Sequence, residues 1–351
     1  MAFALASGAS ASSFGANRAG PPPDNMILWK NVGVPITPLN SNAVYLDELI
    51  DTHARSIYVS FIIEAGDRNE SSGTGTAFRL EIPSIQIQTQ GGLIKLSDVI
   101  YWVDQAAQYD TTSPFYNKIR FYGINNASFT QATDYLETVV YYDHGTLTAW
   151  KAGQVANQNY SLGQYGLDGW QFRVNDLLPI QEITGYDPGY YEGMAIDQIS
   201  IDNGDIIHLF YDLPANFSLS PTPPNPNPNY AANYVRAVYN GTVGSSRSVK
   251  LQGHKTNIDD TFHMYCYDYV DLGDGVLAGL YAADGVTLLQ KGSSDINGVV
   301  TFTFLVPLPS GTYIVKTFPT YLEGSTPTNY TPIFDDVFFD LTGAYSRVVF
   351  P

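Results

Sequence analysis

The chain has 351 residues, enough to bury two hydrophobic cores of ordinary size. Its 17 Lys and Arg against 34 Asp and Glu leave a formal charge of -17, with no basic cluster to reverse that field locally, which excludes nucleic acid as a partner. Cys266 is the single cysteine, excluding an intrachain disulfide and a thiolate metal cage, while 14% aromatic residues, 26 of them Tyr, suit packed strands and wet interfaces.

Residues 1–30 are rich in Ala, Ser and Gly and then in Pro (Pro21 to Pro23), without a periodic apolar face. They read as an extended arm that needs a partner to become ordered. An Ala-Ser-Ala segment there looks like a leader cleavage site, but no basic stretch precedes it and its apolar run is short. No window approaches the roughly 18 apolar residues of a membrane span, so membrane insertion is not expected. From Ile57, IYVSFIIE and FRLEIPSIQIQTQ alternate in polarity and predict two strands joined by a Gly/Ser/Asn turn at 69–75. Ser97 is placed to cap a helix with Val99, Ile100, Val103, Ala106 and Ala107 on one face and Asp98 in its first turn.

Strands KIRFYGI (118–124), LETVVYY (136–142) and TLTAW (146–150) follow. The stretch from Gly169 to Tyr211 is the most distinctive of the chain. Trp170, Phe172 and Val174 alternate on one strand, a Pro/Gly/Tyr-rich loop follows, and Asn203-Gly204-Asp205 turns into a strand carrying Ile206, Leu209 and Tyr211. PTPPNPNPN at 221–229 removes backbone donors and favours an extended, stiff spacer. Beyond it, Val276 to Phe318 alternates over several strands, with turns at Asp284-Gly285, Asn297-Gly298 and Ser310-Gly311.

The Gly-Trp strand, Val-Asn turn and Gly-Asp-x-Ile strand of 169–211 resemble the C-terminal half of a transcobalamin-like β-grasp module, over about 57–212. The turn order of about 246–351, ending in Pro-x-Gly-Thr-Tyr, resembles the prealbumin-like sandwich of collagen-adhesin B-type and carboxypeptidase-regulatory modules. The first resemblance implies binding or assembly rather than catalysis. The second implies a self-crosslinking Lys in some members, but Lys316 and Thr317 stand where an acidic residue is expected, which argues against an internal isopeptide bond. The expected fold is therefore mainly β: an arm (1–30), a β-grasp-like α+β domain (31–214), a Pro/Asn-rich linker (215–240) and an Ig-like or prealbumin-like β-sandwich (241–351). The sandwich is expected to fold alone and to project or contact a neighbour.

No catalytic residue is assigned. His53, His144, His208, His254 and His263 sit in no nucleophile motif, and His208 beside Asp205 weighs as a packed histidine. Asp187 with Glu192, and Asp202 with Asp205, weigh as solvated acidic turns. No cofactor is expected apart from a calcium candidate at Asp268, Asp271 and Asp274, whose spacing is not that of an EF-hand. Trp170, Tyr186, Tyr190 and Tyr191 are the interaction candidates, covering the sheet or a neighbouring subunit in preference to lining a small-molecule pocket. Asn69, Asn126, Asn159, Asn216, Asn240 and Asn329 are glycosylation candidates. These readings converge on a non-enzymatic, self-assembling structural protein, extracellular or at the cell surface, whose partner is itself and whose arm makes strand contacts between subunits. A virion structural subunit and a small-ligand-binding surface module are the alternatives.

Overall fold

A computed structural model describes residues 26–30, 44–47, 55–65, 78–89, 93–113, 115–143, 146–151, 169–182, 191–212, 234–258, 265–317 and 342–351. In chain order the first strands are β1 (Met26–Lys30), β2 (Val44–Asp47), β3 (Arg55–Ala65) and β4 (Phe78–Thr89), followed by helix α1 (Leu96–Tyr109). Then come β5 (Ile119–Gly123), β6 (Ala127–Ser128), β7 (Thr138–Asp143), β8 (Thr146–Lys151), β9 (Gly169–Val174), β10 (Leu178–Glu182), β11 (Tyr191–Gly193) and β12 (Ile206–Asp212). The C-terminal strands are β13 (Val235–Val243), β14 (Ser246–Ile258), β15 (Tyr265–Asp271), β16 (Leu277–Tyr281), β17 (Leu288–Ser293), β18 (Val299–Thr303), β19 (Gly311–Thr317) and β20 (Tyr345–Phe350). The fold is mainly β, as composition and alternation predict.

The N-terminal body is organised by the sheet β4-β3-β12-β9, in which the two central strands, β3 and β12, run parallel and the outer pairings are antiparallel. The alternation read from the sequence sets its two faces. Ile57, Val59, Phe61 and Ile63 of β3 and Ile207, Leu209 and Tyr211 of β12 enter one core with Leu96, Val99, Ile100, Val103 and Ala107 of α1. Ile119, Phe121 and Val139, from the sheet β6-β5-β7-β8, complete that core.

Three local expectations change. Ser97 does not cap α1: it lies inside the first turn, buried, and its hydroxyl donates to the Gln131 carbonyl at 2.8 Å. The orphan donor at the helix start is Lys95 N–H, which the Asp98 carboxylate accepts at 2.8 Å. The last five residues of the expected arm form β1, parallel to both β10 and β2 in the sheet β11-β10-β1-β2. β13 opens at Val235, inside the expected linker, because Val235 and Ala237 alternate into the sandwich core.

The sandwich faces β13-β14-β15, with β18 also on β14, against β17-β16-β19-β20. Val249, Leu251, Leu280, Val300, Phe302, Val315, Val348 and Phe350 fill the space between them.

Instead of projecting, the sandwich packs on the second face of the body's central sheet. Ile62 and Ile206 of that face meet Ile314 and Tyr345 of the sandwich. Beside them runs a buried ionic seam. Glu64 Oε1 lies 2.8 Å from Arg79 Nη1 and 2.5 Å from His208 Nε2, and Arg79 also donates to the Gly343 carbonyl at 2.8 Å. Glu81 joins Arg79 at 2.7 Å to Lys316 at 2.6 Å, with the Lys316 ammonium over the rings of Tyr281 and Tyr345. Arg347 donates to the Gly204 carbonyl, docking the predicted Asn203-Gly204-Asp205 turn onto β20.

Candidate interaction surface

β17 is the terminal strand of its sheet. The sequence LLQKGS is held between two short turns, each built by an aspartate. In the turn before it, the Asp284 carboxylate accepts the Val286 and Thr287 N–H groups at 2.8 and 2.9 Å and the Thr287 hydroxyl at 2.6 Å, with Gly285 at φ +67°. In the turn after it, Asp295 accepts the Asn297 and Val299 N–H groups at 2.8 and 2.9 Å, and Gly298 takes φ +73°. β16 pairs along one side of β17. On the other side, among the described residues, pairing is confined to the isolated bridge from Ser294 to Val300 just beyond its end.

The open side is flanked by apolar side chains that face solvent. Val286, Leu288 and Leu289 are exposed at the start of β17, and Leu305 and Val306, which follow β18, are 106% and 77% exposed. After the bridge from Ser294 to Val300 the chain crosses to the opposite sheet, where β18 pairs with β14. Leu277 and Ile296 are exposed at the opposite end of the hairpin. Hydrogen bonds from Thr287 hold the Asp284 carboxyl below its ordinary value, and the Val299 N–H does the same for Asp295. Both turns therefore stay ionised at neutral pH, giving an apolar ridge bracketed by charge. An open strand edge with an apolar flank is a template for another strand, offering main-chain pairing and desolvation together.

The residues singled out from sequence fall elsewhere. Trp170 is buried in the body core, its ring edge-on to Tyr211 at 5.3 Å, so it supports the sheet instead of facing a ligand. Tyr191 lies on β11, and Tyr186 and Tyr190 lie outside the described residues. Of the calcium candidates, the Asp271 carboxylate is taken by Lys250 Nζ at 2.7 Å and Gln252 Nε2 at 3.2 Å, Asp274 is exposed, and the Asp268 side chain is outside the described residues. No group of three His, Cys, Asp or Glu suited to a metal occurs among the described residues. Asn126 and Asn240 are exposed, whereas Asn69, Asn159, Asn216 and Asn329 lie outside the described residues. His208 is packed in the seam, its ring edge-on to Phe210 and Tyr234. The Asp205 carboxylate accepts Asn175 Nδ2 and Asp202 N–H, both at 2.8 Å, and burial raises its pKa.

Sequence reading did not single out the ridge. Its signal was the apolar pair Leu288-Leu289. Two adjacent apolar residues cannot both face one core from an alternating strand, so such a pair at a sheet edge leaves one or both exposed.

No protein-family model matches the chain, and no solved structure matches it. Among curated proteins, cubilin of Rattus norvegicus is 31% identical over 96 residues, a stretch that covers 26% of this chain and 2% of cubilin. The chain thus spans a small fraction of the length of the curated relative it matches. No helix among the described residues is long and apolar enough to cross a membrane.

Proposed function

We propose that the chain is a non-enzymatic structural subunit that assembles with copies of itself at an extracellular or cell-surface location. The observation that carries this reading is the terminal strand β17, unpaired on one side along its length among the described residues, with Val286, Leu288 and Leu289 exposed at its start. Exposed apolar side chains scattered singly need no explanation, but a group gathered along an unpaired edge is what a subunit contact desolvates. The seam supports the same reading: buried ion pairs and the Ile62, Ile206, Ile314 and Tyr345 contact join two β bodies into one unit that can carry load. The exposed sequons at Asn126 and Asn240 fit an external location. The order of the body's central sheet, with its first and last strands parallel in the middle, supports the β-grasp reading of that part.

The test is the mass of the full chain across a wide concentration range, by analytical ultracentrifugation and negative-stain microscopy. Concentration-dependent multimers or filaments are expected. A monomer at every concentration overturns the proposal. Labelling of intact cells against purified particles separates a cell-surface subunit from a virion one.

A further inference from the structure

We infer that one end of the sandwich is a lipid-contacting tip, whose loops at 243–246 and 304–310 press Val243, Leu305 and Val306 into the interface of a zwitterionic bilayer. It goes beyond the assembly reading above and does not depend on it.

The register of the sheet sets these residues side by side. Val243, the last residue of β13, pairs with Ser246 at the start of β14, and Ser246 pairs in turn with Thr303 at the end of β18. The Ser246 and Thr303 hydroxyls are 2.9 Å apart. Two strand spacings therefore separate Val243 from Thr303, about 10 Å, and Leu305 and Val306 follow directly after β18. Arg247 ties the two loops together at their base. Its buried guanidinium donates through Nη1 to the Gly244 and Ser246 carbonyls at 3.3 Å and through Nη2 to the Leu308 carbonyl at 2.6 Å.

The second loop is built to hold its apex outward. Phe304 and Leu308 pack against the sandwich core, whereas Leu305 and Val306 between them stand in solvent. Pro307 and Pro309 stiffen the loop, and the Tyr313 hydroxyl donates to the Pro309 carbonyl at 2.9 Å. On the first loop Val243 is 81% exposed. Two fixed loops thus carry apolar side chains at their apices.

Charge and area select the occupant. The whole chain carries -17, yet 237–246, 299–315 and 348–351 contain no charged side chain, so the tip is neutral on an acidic molecule. Anionic lipids repel such a chain, and a neutral headgroup layer does not. The three side chains together present on the order of 300 Å² of apolar area. Each side of a minimal specific protein interface buries roughly 500 Å². Residues that project from loop apices would also need matching hollows in a protein partner. The fluid boundary between headgroups and acyl chains yields to them instead, as it does to other interfacial apolar residues.

The test is co-sedimentation of the full chain with phosphatidylcholine vesicles. Three variants accompany wild type: Leu305→Ser with Val306→Ser, Val286→Ser with Leu288→Ser as the control on β17, and Val306→Trp. All change exposed side chains, and circular dichroism with thermal melting checks that each is folded. Wild type and the β17 control should pellet with the vesicles. The Leu305→Ser, Val306→Ser chain should partition about tenfold more weakly or worse. The added Trp of Val306→Trp should shift its emission to the blue on vesicle addition and be quenched by brominated phosphatidylcholine. Replacing part of the phosphatidylcholine by phosphatidylserine should weaken binding at low salt.

Wild type that stays in the supernatant with phosphatidylcholine in excess overturns the inference. So does a folded Leu305→Ser, Val306→Ser chain that pellets like wild type, or a Val306→Trp chain whose emission does not move. Tighter binding to the phosphatidylserine vesicles overturns the zwitterionic assignment. If Leu305→Ser with Val306→Ser instead abolishes multimers formed without lipid, the tip is a contact between copies and the lipid reading falls. A wild-type chain that is monomeric without lipid but pellets with the vesicles overturns the assembly reading and leaves the tip standing.

Discussion

Arg79 is the residue on which the seam turns. Its guanidinium touches Glu64, Glu81 and the Gly343 carbonyl, and its side chain is 6% exposed against 1% for Glu64. Replacing one member of a buried ion pair leaves the other charged and unpaired, which costs more than the pair contributes. Arg79→Met should therefore lower unfolding free energy by about 3–5 kcal/mol in urea titrations, and the added change Glu64→Gln should recover part of that loss. Glu81 and Asp176, on separate strands and turns of the body, respond to pH in opposite senses. Burial pushes the Glu81 carboxyl up, but Arg79 and Lys316 together outweigh it and hold the pKa below its ordinary 4.5. Its stabilisation is present above 4.5 and is lost as pH falls through the folded value. Asp176 goes the other way: burial raises its pKa above 3.8 although the Tyr234 hydroxyl donates to it at 2.6 Å. Its contribution is complete below 3.8 and is lost as pH rises through the folded value. Relative to wild type, stability measured against pH should show a shallower acid limb in Glu81→Gln, and in Asp176→Asn a gain that grows as pH rises from 3.8 through the folded value.

At the level of elements, the turns were the most legible part of the sequence. Gly298 shows why. Its φ of +73° excludes most side chains, and a Cβ there would lie 2.2 Å from the Leu272 carbonyl oxygen and 3.0 Å from that of Leu251. Both obstacles are backbone in the sandwich core, so neither can swing away. Gly298→Ala should destabilise the chain by several kcal/mol, on the order of 3–5, and appear as a large fall in melting temperature. Alternation likewise placed β3, β4, β9 and β12, and helical spacing placed α1, because each of these buries one face. What alternation could not convey was that the polar face of β3 and β12 is buried too. His208 weighed as a packed histidine, but what covers it and Glu64 lay far off in the chain: Gly343 accepts from Arg79 and donates to Glu64 across separations of 264 and 279 residues. The Val-Asn turn was legible but the strand after it was not: Asn175 and Asp176 take φ of +52° and +68°, and this two-residue hairpin hands the chain to β10, in another sheet, within the stretch read as a loop. The β17 edge was predicted as a strand, but nothing local says that a strand will be terminal in its sheet.

For the whole molecule, the seam couples the two bodies. Ile314 and Tyr345 face Ile62 and Ile206, and Lys316 reaches Glu81, so removing either body exposes apolar area and strands buried charge on the other. A single calorimetric transition is expected for the full chain, with calorimetric and van't Hoff enthalpies equal. A chain of residues 234–351 should melt at lower temperature and bind a hydrophobic dye in the folded state. Two well-separated transitions, with the lower matching one body alone, would show the bodies to be independent. The parallel pairing of β3 with β12 also sets a timetable for synthesis. Glu64 and His208, which meet across that pair, are 144 residues apart. At ordinary elongation rates the first strand waits on the order of ten seconds for its neighbour to leave the ribosome. During that interval α1 can cover the apolar face of the β3–β4 hairpin, but the edge of β3 that later takes β12 stays unpaired until residue 212 has emerged, so the nascent chain carries an open strand edge midway through translation.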